Sequence, residues 1–314
     1  MEQSLKGKIK RTKIFGLYSM MREFYFDNIY YKIVSPKLII DCEFQKALGH
    51  PMNWRYPKDL NEKINWLKLY SDTSLWSELS DKYKVRQYIE EKGFSDILVP
   101  LYGSWTKASD IEFSKLPTSF VLKTNHGSGD IIIVKNKDLI DEKKIKISME
   151  KALKRKFGYQ LGEPHYLKIE PKIIAEQFLQ QTDCQFSTSL IDYKIWCFDG
   201  KPAYIWACYS RSKESVYVEV RNLDWEYLPE KSIFTHYYKD GKGILPKPKN
   251  LDKMIETASV LSNGFPQVRV DLYETNGKIY FGEMTFTSNA GYNYFYTQDF
   301  LNELGDKIIL PSRK

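Results

Sequence analysis

The sequence predicts an α+β fold with much of its sheet antiparallel, and three observations carry that reading. Two turn-forming dipeptides, Asp199-Gly200 and Asn276-Gly277, each interrupt a pair of strand-like runs, which marks two β-hairpins. A further strand–loop–strand pattern surrounds Gly127 and Gly129. Helical spacing is clearest at 251–262, where Leu251, Met254, Ile255, Ala258 and Leu261 share one face.

The 314 residues suffice for one large or two medium domains, and an apolar fraction of 42% with 15% aromatics can fill packed cores. The net charge of +7 is modest and its acidic and basic residues are interleaved, which favours anionic ligands without singling out nucleic acid. Lys6, Lys8, Lys10, Arg11 and Lys13 precede Ile14-Phe15-Gly16-Leu17-Tyr18. That start fits either a solvated basic helix or an amphipathic helix resting on an anionic membrane surface. No early apolar run reaches the roughly 18–20 residues of a membrane span, and none reads as a secretory signal, so a cytoplasmic location is expected. Cys42, Cys184, Cys197 and Cys208 form no C-x-x-C pair and are expected to be buried, reduced thiols.

In chain order, residues 1–75 read as a helical extension, with turns at Gly49-His50-Pro51 and Tyr56-Pro57 before a helix at 61–70. Tyr83, Val85, Tyr88 and Ile89 then have helical spacing that Gly93 ends, and 97–100 reads as a short strand. Strands at 119–123 and 131–135 flank the glycine loop, and a basic helical stretch at 141–157 leads to a strand at 172–176. The first hairpin pairs 193–198 with 203–208; the second pairs 268–273 with 279–281. Between them, 210–250 reads as irregular and polar, so aromatic residues such as Tyr209 and Trp225 fit a core role or a sugar platform equally.

The loop Asn125-His126-Gly127-Ser128-Gly129 can bring backbone N–H groups close to phosphate oxygens. It lacks the lysine of a P-loop and has strands on both sides, so a flap over phosphates fits better than a nucleotide fingerprint that opens a helix. Lys123 ends the strand before it and fits either a phosphate contact or a solvated strand end. In the second hairpin Arg269 and Asp271 alternate with Val268 and Val270, and Glu283 follows twelve positions after Asp271. These residues fit a cross-strand ion-pair ladder or a Mg²⁺ site, since Mg²⁺ takes a few carboxylate oxygens together with nucleotide phosphates. A two-residue Asn276-Gly277 loop would pair 271 with 282 and send Glu283 to the opposite face. A three-residue loop with Gly277 in a G1 bulge would pair 269 with 283 and keep all three on one face, and this bulged form is the expectation.

Taken in order, Asp81-Lys82, Lys123 with its glycine flap, Glu176-Gln177-Phe178-Leu179, and Arg269-x-Asp271 followed by Glu283 resemble the ATP-grasp superfamily over roughly residues 80–300. Pro57-Lys58-Asp59-Leu60-Asn61-Glu62-Lys63-Ile64, Asp192-Tyr193-Lys194, Phe198-Asp199-Gly200-Lys201-Pro202 and Arg269-Val270-Asp271-Leu272-Tyr273 narrow this, over nearly the whole chain, to a resemblance to the TupA-like ATP-grasp family. That resemblance implies two α+β lobes, 76–179 with the glycine flap and 180–314 with the metal-binding hairpin, which grip ATP. It also implies that Lys82, Lys123 and the loop Gly127-Ser128-Gly129 meet phosphates and that the backbone of Glu176, Gln177 and Phe178 holds adenine. Asp271 and Glu283 would coordinate Mg²⁺, and Arg269, assisted by Lys194, would stabilise the transferring phosphoryl group.

One position departs from the superfamily pattern. Glu283-Met284-Thr285 has threonine where many members carry a metal-binding asparagine, and Asn289 is the expected substitute. The family is associated with teichuronopeptide and other surface-polysaccharide biosynthesis. It implies a carboxylate–amine ligase acting on a small-molecule or glycan-precursor carboxylate and an amine. The alternatives are a glycosyltransferase, against which the lack of an Asp-x-Asp motif weighs, and an inactive nucleotide-binding scaffold.

Overall fold

The computed structural model describes Met21, residues 33–181 and residues 185–314. The basic segment at 6–18 and Cys184 lie outside the described residues. Helix α1 (Pro36–Leu48) starts on the Ser35 cap and ends at Gly49, whose φ of 80° closes the helix in the left-handed conformation. Helix α2 (Leu60–Tyr70) opens on Asp59, whose carboxylate accepts the Glu62 N–H at 2.9 Å, while the Glu62 carboxylate accepts the Lys58 N–H at 2.7 Å. Short helices α3 (Ser74–Leu79) and α4 (Val85–Glu91) follow.

A small antiparallel sheet has the spatial order β1 (Leu101–Trp105), β4 (Ile173–Gln177), β2 (Phe120–Thr124), β3 (Ile131–Val134). One of its faces is covered by α5 (Glu142–Leu153): Phe120, Leu122 and Val134 pack with Ile145 and Met149. The other face carries Lys123 and Glu176 with the half-exposed Ile131 and Ile133. The strand expected at 97–100 is displaced. Ser95–Ile97 closes as a 3₁₀ turn, Ile97 and Leu98 are buried in the larger core, and the ladder begins at Leu101.

The larger sheet has the order β10 (Lys278–Thr285), β9 (Val268–Thr275), β5 (Asp192–Phe198), β6 (Lys201–Tyr209), β7 (Val216–Arg221), β8 (Tyr238–Asp240), antiparallel except for the β7–β8 edge. Strand alternation sends Tyr193, Ile195, Val268 and Val270 to one face, where α6 (Leu251–Ser262) packs with Met254, Ala258 and Leu261. The opposite face carries Lys194, Arg269 and Asp271. Helix α7 (Gln298–Asp306) packs against α2, and the Lys63 ammonium donates to the Gly305 and Ile308 carbonyls.

The expectation of an irregular 210–250 segment fails at β7 and β8. Glu219 and Arg221 are charged in sequence but buried in β7, where they pair at 2.5 Å, and the Tyr209 hydroxyl donates to Glu219 at 3.1 Å. Tyr209 and Trp225 are core residues. Cys197 and Cys208 are buried thiols as expected, whereas Cys42 is exposed.

Candidate active site

Asp271 is the centre of the site. It lies in β9 with only 1% exposure. Register sets Lys194 of β5 on one side and Glu283 of β10 on the other, so these side chains project from the same face. The Arg269 guanidinium grips the Asp271 carboxylate with two N–H groups, at 2.7 and 2.8 Å, and the Lys194 ammonium adds a contact at 2.5 Å. Arg269 also donates to Ser288 Oγ at 2.7 Å and to Thr285 Oγ1 at 3.3 Å. Ser288 passes the chain of bonds to Asn293, whose amide N–H and side chain both donate to Asn61 Oδ1 on α2. The guanidinium is therefore fixed from both ends. A fork set this way is preorganised for charge that develops beside it.

The expected bulge at Gly277 is not present. Thr275 pairs with Lys278 across a two-residue turn in which Asn276 and Gly277 both have positive φ, at 54° and 69°, as a type I′ hairpin requires. The extra residue lies farther along, at Gly282 between Phe281 and Glu283, so Glu283 faces Asp271 and Thr285 faces Arg269. A Cβ on Gly282 would stand 2.9 Å from the Asp271 carbonyl oxygen and 3.0 Å from the Tyr273 ring, which explains why a glycine occupies the bulge. The shared face reached by Arg269, Asp271 and Glu283 is thus the expected one, by a different register.

Three cations surround Glu283: Lys82 at 3.6 Å, Arg269 at 3.8 Å, and Lys194 by field. Burial pushes the Glu283 carboxyl pKa up, but Lys82, Lys194 and Arg269 outweigh it and hold the group down at about 2. For Lys194, burial acts against the ammonium, and the carboxylates of Asp192, at 3.3 Å, and Asp271 more than offset it, so its pKa is raised. Arg269 is shifted upward by the same balance, with Asp271 outweighing burial. All three groups are ionised at neutral pH.

The glycine loop is tied to this cluster. Asn125 is fully buried; its side chain donates to Asp81 at 2.8 Å and accepts the Lys172 N–H at 2.6 Å. The Lys82 ammonium donates to the Gly127 carbonyl at 2.6 Å while it faces Glu283, so one side chain links the loop of the small sheet to the hairpin of the large one. A Cβ on Gly127 would meet the Phe157 ring at 2.9 Å, and Gly129 has a φ of 86°. Ser128 and Gly129 are exposed at the loop tip. Lys123 pairs with Glu176 at 2.5 Å, and Arg86 stands 3.7 Å from the same carboxylate.

Of the backbone segment expected at adenine, Gln177 gives its N–H to the Pro100 carbonyl at 2.9 Å, Glu176 sits within the ladder, and Phe178 lies past the end of β4. Asn289 is exposed, with a left-handed φ of 46°, and its side chain bonds the Tyr292 carbonyl. No contact joins it to Asp271 or Glu283 among the described residues. Thr285 occupies the place beside the carboxylates, with its hydroxyl 3.2 Å from Glu283 Oε1.

Among the described residues no cluster of three or more acidic, histidine or cysteine side chains is placed to hold a metal by itself. Two carboxylates on adjacent strands still fit a Mg²⁺ that arrives with phosphates, because that ion takes one or two carboxylates and fills its remaining positions from phosphate and water. Ser288, Asn293 and Arg86 belong to the site but carry no motif, whereas Asp192 lies in Asp192-Tyr193-Lys194 and Thr285 is the residue that departs from the superfamily pattern.

A family model described as TupA-like ATPgrasp matches residues 62–309. Among solved structures, the D-alanine–D-alanine ligase of Bacillus anthracis is 16% identical, with 80% of this chain and 70% of that one covered and a TM-score of 0.41. The L-amino acid ligase of Bacillus licheniformis is 16% identical, covering 69% of this chain and 43% of that one, with a TM-score of 0.40. VanG D-Ala:D-Ser ligase of Enterococcus faecalis is 13% identical over 78% of this chain and 62% of that one, with a TM-score of 0.41. No curated protein matches the chain in sequence.

Proposed function

The chain belongs to the TupA-like ATP-grasp family, and from that premise we propose that it is an ATP-dependent carboxylate–amine ligase that works through an acyl-phosphate. The observation that carries this reading is the meeting of Arg269, Asp271, Lys194 and Glu283 on one sheet face, with Lys82 linking them to a glycine loop. Phosphoryl transfer needs positioning and charge compensation more than covalent chemistry, and this cluster supplies both.

In the proposed reaction the loop from Asn125 to Gly129 lies over the ATP phosphates, between a small-sheet and a large-sheet lobe. Lys82 and Lys123 exchange their present partners, the Gly127 carbonyl and Glu176, for phosphate oxygens. Asp271 and Glu283 would hold Mg²⁺, which neutralises phosphate charge when bound. An acceptor carboxylate oxygen attacks the γ-phosphorus, the bond to the β-phosphate oxygen breaks, and ADP leaves. Arg269, fixed by Asp271 and Ser288, faces the charge on the transferring group, and Lys194 supports it. The amine then attacks the acyl carbon, inorganic phosphate departs, and the amine proton passes to solvent, leaving an amide.

For substrates we propose a carboxylate on a surface-glycan precursor, of the uronic acid kind, with an amino acid or amino sugar as amine, in a cytoplasmic reaction. The family association and the cationic site support this reading. No helix among the described residues is long and apolar enough to cross a membrane.

The test is ADP release from Mg²⁺-ATP across a panel of uronates and amino acids, with hydroxylamine as a trap that converts an acyl-phosphate to a hydroxamate. Carboxylate-dependent ADP and hydroxamate in equal amounts support the proposal. Turnover of a UDP-sugar without ATP would replace it by glycosyl transfer.

A further inference from the structure

Arg211 stands at the edge of the site and takes no part in the chemistry above. It follows β6, where Ser210 adopts a left-handed φ of 46°. Its backbone is pinned: Ser210 N–H donates to Ser187 Oγ at 2.9 Å and Arg211 N–H to Ser189 Oγ at 3.0 Å. Among the described residues the guanidinium, whose side chain is 43% exposed, makes only long contacts, 3.5 Å to the Tyr237 hydroxyl and 3.5 Å to Asp192 Oδ2. Tyr237 is held in turn, because its N–H donates to Thr235 Oγ1 and its carbonyl accepts the Val216 N–H.

Asp192 connects this arginine to the reacting cluster, since the same Oδ2 atom lies 3.3 Å from the Lys194 ammonium. Charges therefore alternate along one line, Arg211, Asp192, Lys194, Asp271, Arg269. Register places Asp192 opposite Tyr273, four residues along β9 from Arg269, a strand distance of about 13 Å. Asp192, Lys194 and Asp271 stand between the two guanidinium groups, so each addresses a separate anionic position. A planar fork with five donors and two long contacts has more open capacity for an anion than Arg269, four of whose donors already bond Asp271, Ser288 and Thr285.

We propose that Arg211, backed by Tyr237 and Asp192, binds a second anionic group of the acceptor, so that the enzyme selects substrates carrying one carboxylate to be activated and another carboxylate or phosphate apart from it. This rests on the ligase reading for the identity of the first carboxylate. Asp192 steers the guanidinium and, as a like charge, keeps the anion on the solvent side of the fork.

The experiment compares matched probes by thermal shift with wild type, Arg211→Ala, Arg211→Lys and Tyr237→Phe, each with and without Mg²⁺-ATP. Glutarate against butyrate tests a second carboxylate; glucuronate 1-phosphate against glucuronate tests a phosphate. Wild type is expected to bind the dianion of at least one pair at least tenfold more tightly than its partner. Arg211→Ala should lose that margin, with Arg211→Lys and Tyr237→Phe between the two. Equal binding of both members in both pairs, no binding of any probe, or a margin that survives in Arg211→Ala overturns the proposal. A failure of the ligase reading is distinguishable, because it shows as the absence of carboxylate-dependent ADP release and hydroxamate from wild type with Mg²⁺-ATP, whatever the probes do in the thermal shift.

Discussion

Asp271 and Glu283 are both carboxylates of the proposed metal pair, yet they differ in what they do for folding. Asp271 is buried against two cations, and its loss removes the nearest carboxylate from both Arg269 and Lys194 in a desolvated place. Asp271→Asn should therefore cost about 3–5 kcal/mol of stability, read from denaturant unfolding. Glu283 has a side chain 37% exposed, so Glu283→Gln should cost clearly less stability than Asp271→Asn while it weakens Mg²⁺-ATP binding. The pH dependence has a definite sign. With its folded pKa held down at about 2, Glu283 contributes stability that is full above the ordinary carboxylate range and is lost as pH falls from about 4.5 towards 2. The stability difference between wild type and Glu283→Gln should follow that window; a change centred near neutral pH would contradict the electrostatic account. Arg269, Asp271 and Glu283 were legible because period-two alternation and hard carboxylates are local signals. Ser288 and Asn293 were not, since a hydroxyl or amide that anchors a guanidinium resembles any surface polar residue until the fold sets it there, and Thr285 was legible only as a departure from an expected asparagine.

The hairpin of β9 and β10 shows how an element's details control the site. Asn276-Gly277 announced the turn, and the need for Glu283 to share a face with Asp271 announced a bulge, but the bulge position was misread. Asn-Gly at the turn satisfies a type I′ geometry by itself, which leaves the extra residue to Gly282, where a side chain would strike the Asp271 carbonyl and the Tyr273 ring. Gly282→Val should disturb the β9–β10 ladder at Glu283 and reduce Mg²⁺-ATP affinity more than it reduces stability, measured by titration and by thermal unfolding of the same sample. Equal affinity in the variant would mean that the bulge does not orient Glu283. Strand β7 was missed for a different reason. Glu219 and Arg221 neutralise each other inside the core, and a buried ion pair reads as solvated surface in a sequence.

At the scale of the molecule, the order of the parts was the most legible feature, because each motif keeps its place relative to the strand that bears it. What joins them was hidden. Asn61 and Asn293 meet across 232 positions, and Lys82 reaches from the turn before α4 to both the Gly127 loop and Glu283. Long-range pairings of this kind leave no period or spacing to read. The Lys82 contacts bring the small-sheet loop to the large-sheet hairpin, and that the two form one nucleotide site is the proposal to be tested. The direct test is thermal unfolding of wild type, Lys123→Ala and Glu283→Gln with Mg²⁺-ATP and, separately, with UDP-sugars. A ligand at a hundred times its Kd adds about 2.7 kcal/mol to stability. The account predicts a clear rise in Tm for wild type with Mg²⁺-ATP and loss of most of that rise in both variants, which remain folded. A rise with a UDP-sugar and none with Mg²⁺-ATP would contradict it.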